Sequence, residues 1–130
     1  MKKNLSLIFI LSTALLFSCE YEAQLTYIIK NNSSAPIKVV YTDSKTTTKT
    51  DSVNITPSEQ ATIAVHGQGL SSVKHYKEIK EELRDFTKMD VYTSDTIKSN
   101  EDFLKSNRWL YNEINAHSAN YILTVENSDF

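Results

Sequence analysis

The chain has 130 residues, 14 basic against 16 acidic, and 40% hydrophobic content, enough for one domain with its own core. Slight acidity excludes the basic footprint that nucleic acid demands, and two glycines and two prolines exclude Gly-rich phosphate-cradling loops, collagen-like repeats and flexible linkers. A single cysteine allows no internal disulfide, so packing has to supply the stability.

The first element is a leader. Lys2 and Lys3 precede thirteen uncharged residues from Leu5 to Phe17, and small Ser18, Cys19 and Glu20 follow. A membrane span needs roughly 20 apolar residues, so this shorter run reads as a secretory signal. Leu16-Phe17-Ser18-Cys19 resembles the lipobox of bacterial lipoproteins, although Phe17 departs from the usual small residue. The resemblance implies that the Cys19 thiol is alkylated with diacylglycerol, that cleavage falls just before it, and that the new amino group is acylated. A thiolate is the nucleophile suited to that thioether. Two or three acyl chains, at ~0.8 kcal/mol per buried methylene, hold a protein firmly on a membrane. Residues 1–18 are thus expected to be a signal peptide and 19–24 a short lipidated tether. The acidic run Cys19-Glu20-Tyr21-Glu22 resembles the signal that carries Bacteroidota lipoproteins to the outer face of the outer membrane. Removal of residues 1–18 leaves 112 residues with 12 basic and 16 acidic side chains, a balance of −4.

Strands dominate the remainder. Leu25, Tyr27 and Ile29 alternate on one face of a first strand, 31–36 reads as a turn, and Ile37, Val39 and Tyr41 continue as a second. The polar run from Asp43 to Thr50 reads as a loop or an exposed edge. A third strand surrounds Val53 and Ile55, Pro57-Ser58-Glu59 turns the chain, and Ala61, Ile63 and Val65 share the face of a fourth. Val73, Tyr76, Ile79, Leu83 and Phe86 then recur at spacings of three and four, which predicts an amphipathic helix. Met89 and Val91 alternate in a fifth strand, 99–108 is too polar for a core strand, and 109–114 gives a sixth. Tyr121, Leu123 and Val125 give the seventh.

Seven short strands predict a mostly β domain over 25–130: an antiparallel β-sandwich with one inserted amphipathic helix, or a single antiparallel sheet covered by that helix. The late Trp109, the Tyr121-x-Leu123-x-Val125 strand and the Asp129-Phe130 terminus resemble small Bacteroidota lipoproteins, which adds an expected address in the cell envelope.

Candidate chemistry is sparse. His66, His75 and His117 lack paired ligand spacing and have no cysteine to join them, so they read as exposed loop or helix-surface residues, and no metal or cofactor is expected. No serine lies in a Gly-x-Ser-x-Gly elbow. Glu78, Glu82, Asp90 and Glu113 are the carboxylates weighed for glycosidase chemistry, and they read as solvated faces. The chain is therefore not expected to be an enzyme. Tyr27, Tyr41, Tyr121 and either Trp109 or Tyr111 alternate as core residues, whereas Tyr92, opposite Val91, is the candidate surface contact. Asp51-Ser52-Val53 and Asp95-Thr96-Ile97 resemble the Asp-Ser/Thr-apolar acceptor pattern of Bacteroidota O-glycosylation, which makes Ser52 and Thr96 candidate acceptors.

The expected role is a binding or accessory module, held on the membrane through lipid on Cys19 and docking an envelope protein or glycan. The alternative is an inhibitor or immunity-type lipoprotein that presents the loop 43–50 or 99–108 to a secreted hydrolase or toxin. A small enzyme would require His66 or His117 to gather with two carboxylates in a concave pocket.

Overall fold

The computed structural model describes residues 22–45, 49–69, 73, 85–93 and 96–130. Seven strands run in chain order: β1 (Ala23–Asn31), β2 (Ile37–Asp43), β3 (Thr50–Ile55), β4 (Gln60–Gln68), β5 (Phe86–Thr93), β6 (Trp109–Asn115) and β7 (Ser118–Val125). They form two sheets, one of order β4-β1-β7-β6 and one of order β3-β2-β5. The fold is thus a two-layer β structure, and the single-sheet alternative is set aside. Four of the five strand pairs are antiparallel, and the expected all-antiparallel arrangement is broken at one place: β1 and β7 pair in parallel, Leu25 opposite Ala119 through Asn31 opposite Val125.

Of the helix expected from Val73 to Phe86, residues 74–84 lie outside the described residues. The described part does not support it. Phe86 opens β5 instead, pairing with Asp43 of β2. Among the described residues the helical turns are single 3-10 turns, Ser106–Arg108 and Asn127–Asp129 the longest. The leader and Cys19 also lie outside the described residues, and β1 starts at Ala23, inside the expected tether.

Alternation places the core. Along β1 the odd residues Ala23 to Asn31 face inward, and along β7 Ala119, Tyr121, Leu123 and Val125 do the same. Tyr27 stands at the centre: its ring stacks on Tyr121 at 5.4 Å between centroids, and meets Phe86 and Trp109 edge-on at 5.0 and 6.0 Å. Such aromatic pairs add to simple area burial. Tyr41 also turns inward, as its position on β2 predicts.

β4 departs from the expected phase. Tyr27 pairs with Ala64 while Ile28 pairs with Thr62, so Ile63 is an extra residue without a cross-strand partner. This bulge makes Ile63 and Ala64 buried in succession and inverts the alternation beyond them. Val65, expected inward with Ala61 and Ile63, is therefore 47% exposed, and His66 turns into the interior.

Asn31 closes the end of the sandwich where β1 stops. Its buried amide donates to the carbonyls of Ala35 and Ile55, each at 2.9 Å, and its carbonyl oxygen accepts from the Ser33 amide and hydroxyl. One side chain thus satisfies the β1–β2 turn and fixes the end of β3 against it.

Candidate functional site

The outward face of the small sheet carries the first candidate site. β2 is its central strand, and register places Lys38 between Asn54 of β3 and Tyr92 of β5, with Val40 between Ser52 and Asp90 in the next row. These residues face out because Ile37, Val39, Tyr41, Met89 and Val91 of the same strands face in. A shallow groove of about 500 Å³ follows, lined by Pro36, Lys38, Val40, Asn54, Tyr92 and Thr96 among others. Tyr92 is part-buried there, and it bridges to Lys98 beyond the sheet edge.

The charges around the groove are unequally committed. Lys98 and Lys88 both reach Asp90, at 2.8 and 3.4 Å. The hydrogen bond from Lys98 is the main cause holding the Asp90 carboxyl below its ordinary value; partial burial opposes it, and Lys88 adds to the lowering. Lys38 forms no ion pair among the described residues. Thr93 lines the same groove, and its hydroxyl oxygen is buried without a hydrogen-bond partner among the described residues.

Both candidate acceptors border this face. Ser52 is exposed on β3, where its amide donates to Asp51 at 2.7 Å, and it lines a smaller cavity that shares Lys38 and Val40 with the groove. Thr96 is exposed in the turn after β5 and holds a left-handed φ of 68°. Ser52, Tyr92 and Thr96, singled out separately in the sequence, are thereby gathered on one outward face.

The second site is interior, and sequence reasoning missed it. The inverted phase of β4 brings His66 to 3% exposure, which corrects the reading of this residue as a surface histidine. Its Nε2 lies 2.8 Å from Asp43 Oδ2 and its Nδ1 3.1 Å from Asp85 Oδ2. The Tyr27 hydroxyl donates to the same Asp85 oxygen, and Lys45 Nζ meets the other at 2.9 Å. The His66 ring thus lies between two carboxylates, one within hydrogen-bond reach of each ring nitrogen. Burial on its own would raise the Asp85 carboxyl, but hydrogen bonds from Tyr27, Lys45 and His66 outweigh it and hold the group below its ordinary value. Burial, reinforced by Asp85, pushes the Tyr27 phenol far above the usual range.

Asp43, expected in an exposed loop, is instead the last, buried residue of β2. The histidine and two carboxylates that an enzyme would need are together, yet both His66 and Asp43 are sealed from solvent at 3% and 4% exposure. What this geometry does is tie β4 and β1 of one sheet to β2 and the start of β5 in the other. The only sequence sign was indirect: Ile63-Ala64-Val65 gives three apolar residues in a row where a half-buried strand should alternate.

The other candidates disperse. His117 sits in the β6–β7 turn, where its carbonyl accepts from the Gln24 amide at 2.7 Å. His75, Glu78 and Glu82 lie outside the described residues, and Glu113 is exposed on β6. The segment 99–108 is pinned by buried Ser99 and Phe103, whose carbonyl accepts from the Trp109 indole at 2.7 Å. A comparison with protein-family models, curated proteins and solved structures finds no match to this chain.

Proposed function

We propose that the chain is a lipid-anchored extracytoplasmic binding module whose ligand seats in the Tyr92 groove, on the end of the sandwich that faces away from the membrane. The observation that carries this reading is the direction of β1. Its start at Ala23 is tied to the β6–β7 turn through the bond from Gln24 to His117, and its end at Asn31 is tied to the turn carrying Ala35 and to Ile55. Pro36, Asn54 and Thr93, which line the groove, belong to that second end. With lipid on Cys19, only residues 20–22 separate the anchor from β1, a reach of roughly 14 Å at ~3.3 to 3.6 Å per residue. Nine residues of β1 then carry the groove about 30 Å farther, at ~3.3 Å each. An outward face at that distance is open to an envelope protein or glycan.

The inhibitor reading has less support, because it requires a protruding loop. Asp43 at one candidate loop and Ser99 and Phe103 at the other are buried.

Metabolic labelling with an alkyne fatty acid tests the anchor. The wild-type chain should take up label and fractionate with membranes, and Cys19→Ala should lose both; an unlabelled, soluble wild-type chain would remove the basis for the orientation.

A further inference from the structure

We infer that the groove takes an acidic sugar: a uronate ring lying against Tyr92 with its carboxylate on the Lys38 ammonium. The inference rests on the binding-module reading above and supplies the ligand's chemistry. Register sets Asn54, Lys38 and Tyr92 side by side in one row across three strands, so an amide, an ammonium and an aromatic ring present themselves together to whatever lies along the row. Aromatic faces and the apolar surfaces of Pro36 and Val40 suit the C–H face of a pyranose, while Asn54 and the Thr96 hydroxyl suit its rim of hydroxyls. A groove of about 500 Å³ falls in the range of small-ligand sites.

Charge selects among sugars. Among the described residues Lys38 is the one ionisable group in the lining apart from the Tyr92 phenol, and the neighbouring cations Lys88 and Lys98 both reach Asp90. The groove therefore carries one cation that makes no ion pair among the described residues, although Asp51 lines the adjoining cavity with it. A carboxylate on the ligand completes a charge-assisted hydrogen bond there, whereas a neutral sugar gains only ordinary ones. The Thr93 hydroxyl, buried in the wall with no partner among the described residues, is a further polar group that a ligand-induced adjustment of the rim can satisfy.

Calorimetry on the full chain purified in detergent decides the matter, with oligogalacturonate as the acidic probe and a cello-oligosaccharide of equal length as the neutral one. The wild type should favour the acidic probe by about tenfold or more, with affinity falling as salt rises. Lys38→Met should bring the two probes to near parity, and Tyr92→Ala should abolish binding of both. Asn54→Ala, whose side chain is exposed and clear of the core, should weaken both probes and guards against a folding artefact at Tyr92. Equal affinity for the two probes in the wild type, or an undiminished preference in Lys38→Met, overturns the inference. So does binding of neither, or of an acidic peptide in preference to the sugar, and those results leave the anchored-module reading to the labelling experiment.

Discussion

His66 Nε2 lies 2.8 Å from Asp43 Oδ2, and this contact joins β4 of the larger sheet to β2 of the smaller one inside the sandwich. Removing one member of a buried hydrogen-bonded pair strands the other, at a cost of about 1 to 3 kcal/mol and more for a charged group, whereas replacing both by apolar groups can be nearly neutral. His66→Leu should therefore lower the unfolding free energy by about that amount in urea titrations, and His66→Leu with Asp43→Leu should recover part of it. A double variant less stable than the single one would show that the pair is not acting as a unit.

Asp85 gives the acid limb of stability. Its folded carboxyl lies below the ordinary value, near 3.9 for an unfolded chain, because bonds from Tyr27, Lys45 and His66 overcome the opposing effect of burial. A depressed folded value means the contribution is present in full above roughly pH 4 and is lost as pH falls through the folded value. The urea midpoint of the wild type should drop more steeply between about pH 4 and pH 2 than that of Asp85→Asn. Parallel acid limbs would contradict the network.

Tyr27 acts at the opposite extreme. Burial comes first among the causes that raise its phenol, followed by the hydrogen bond to Asp85. The sign reverses for a raised group: its contribution is present below the unfolded value of about 10 and drains as pH climbs beyond it. Tyr27→Phe keeps the ring stack on Tyr121, loses about 1.5 to 3 kcal/mol at neutral pH with the bond to a charged acceptor, and should show a shallower alkaline decline. Denaturation midpoints from pH 7 to 11 measure both effects.

Asn31 makes four hydrogen bonds to the chain around it from a fully buried position. Asn31→Ala would take this partner from the Ile55 carbonyl and the Ser33 amide, the Ala35 carbonyl keeping the Ser33 hydroxyl, and a loss of about 2 to 3 kcal/mol is expected. For a domain of this size that amounts to a melting temperature lower by roughly 10 °C or more. A change within a degree or two would mean water replaces the amide freely.

Much of the strand pattern was legible because burial with a period of two is written directly into β1, β2, β7 and the part of β5 from Met89 onward. Leu25, Tyr27 and Ile29 needed no tertiary information to be assigned inward. β4 departs from its expected phase at Ile63, where one extra residue inverts the alternation; the apolar run Ile63-Ala64-Val65 is its one indirect local mark, and it carries His66 inward. The parallel pairing of β1 with β7 joins segments almost a hundred residues apart, a contact that periodicity cannot register. The outward face was partly legible, since Tyr92 follows from the alternation of β5. Its neighbours Lys38 and Asn54 became visible only once register set three strands side by side.

Photo-crosslinking in living cells tests most directly the proposal that a ligand seats on the outer face of the small sheet. A benzophenone side chain is introduced at Asn54 on that face or at Asn112, exposed on β6 of the larger sheet. Adducts from position 54 and none from position 112 are predicted; adducts from 112 alone would contradict the assignment.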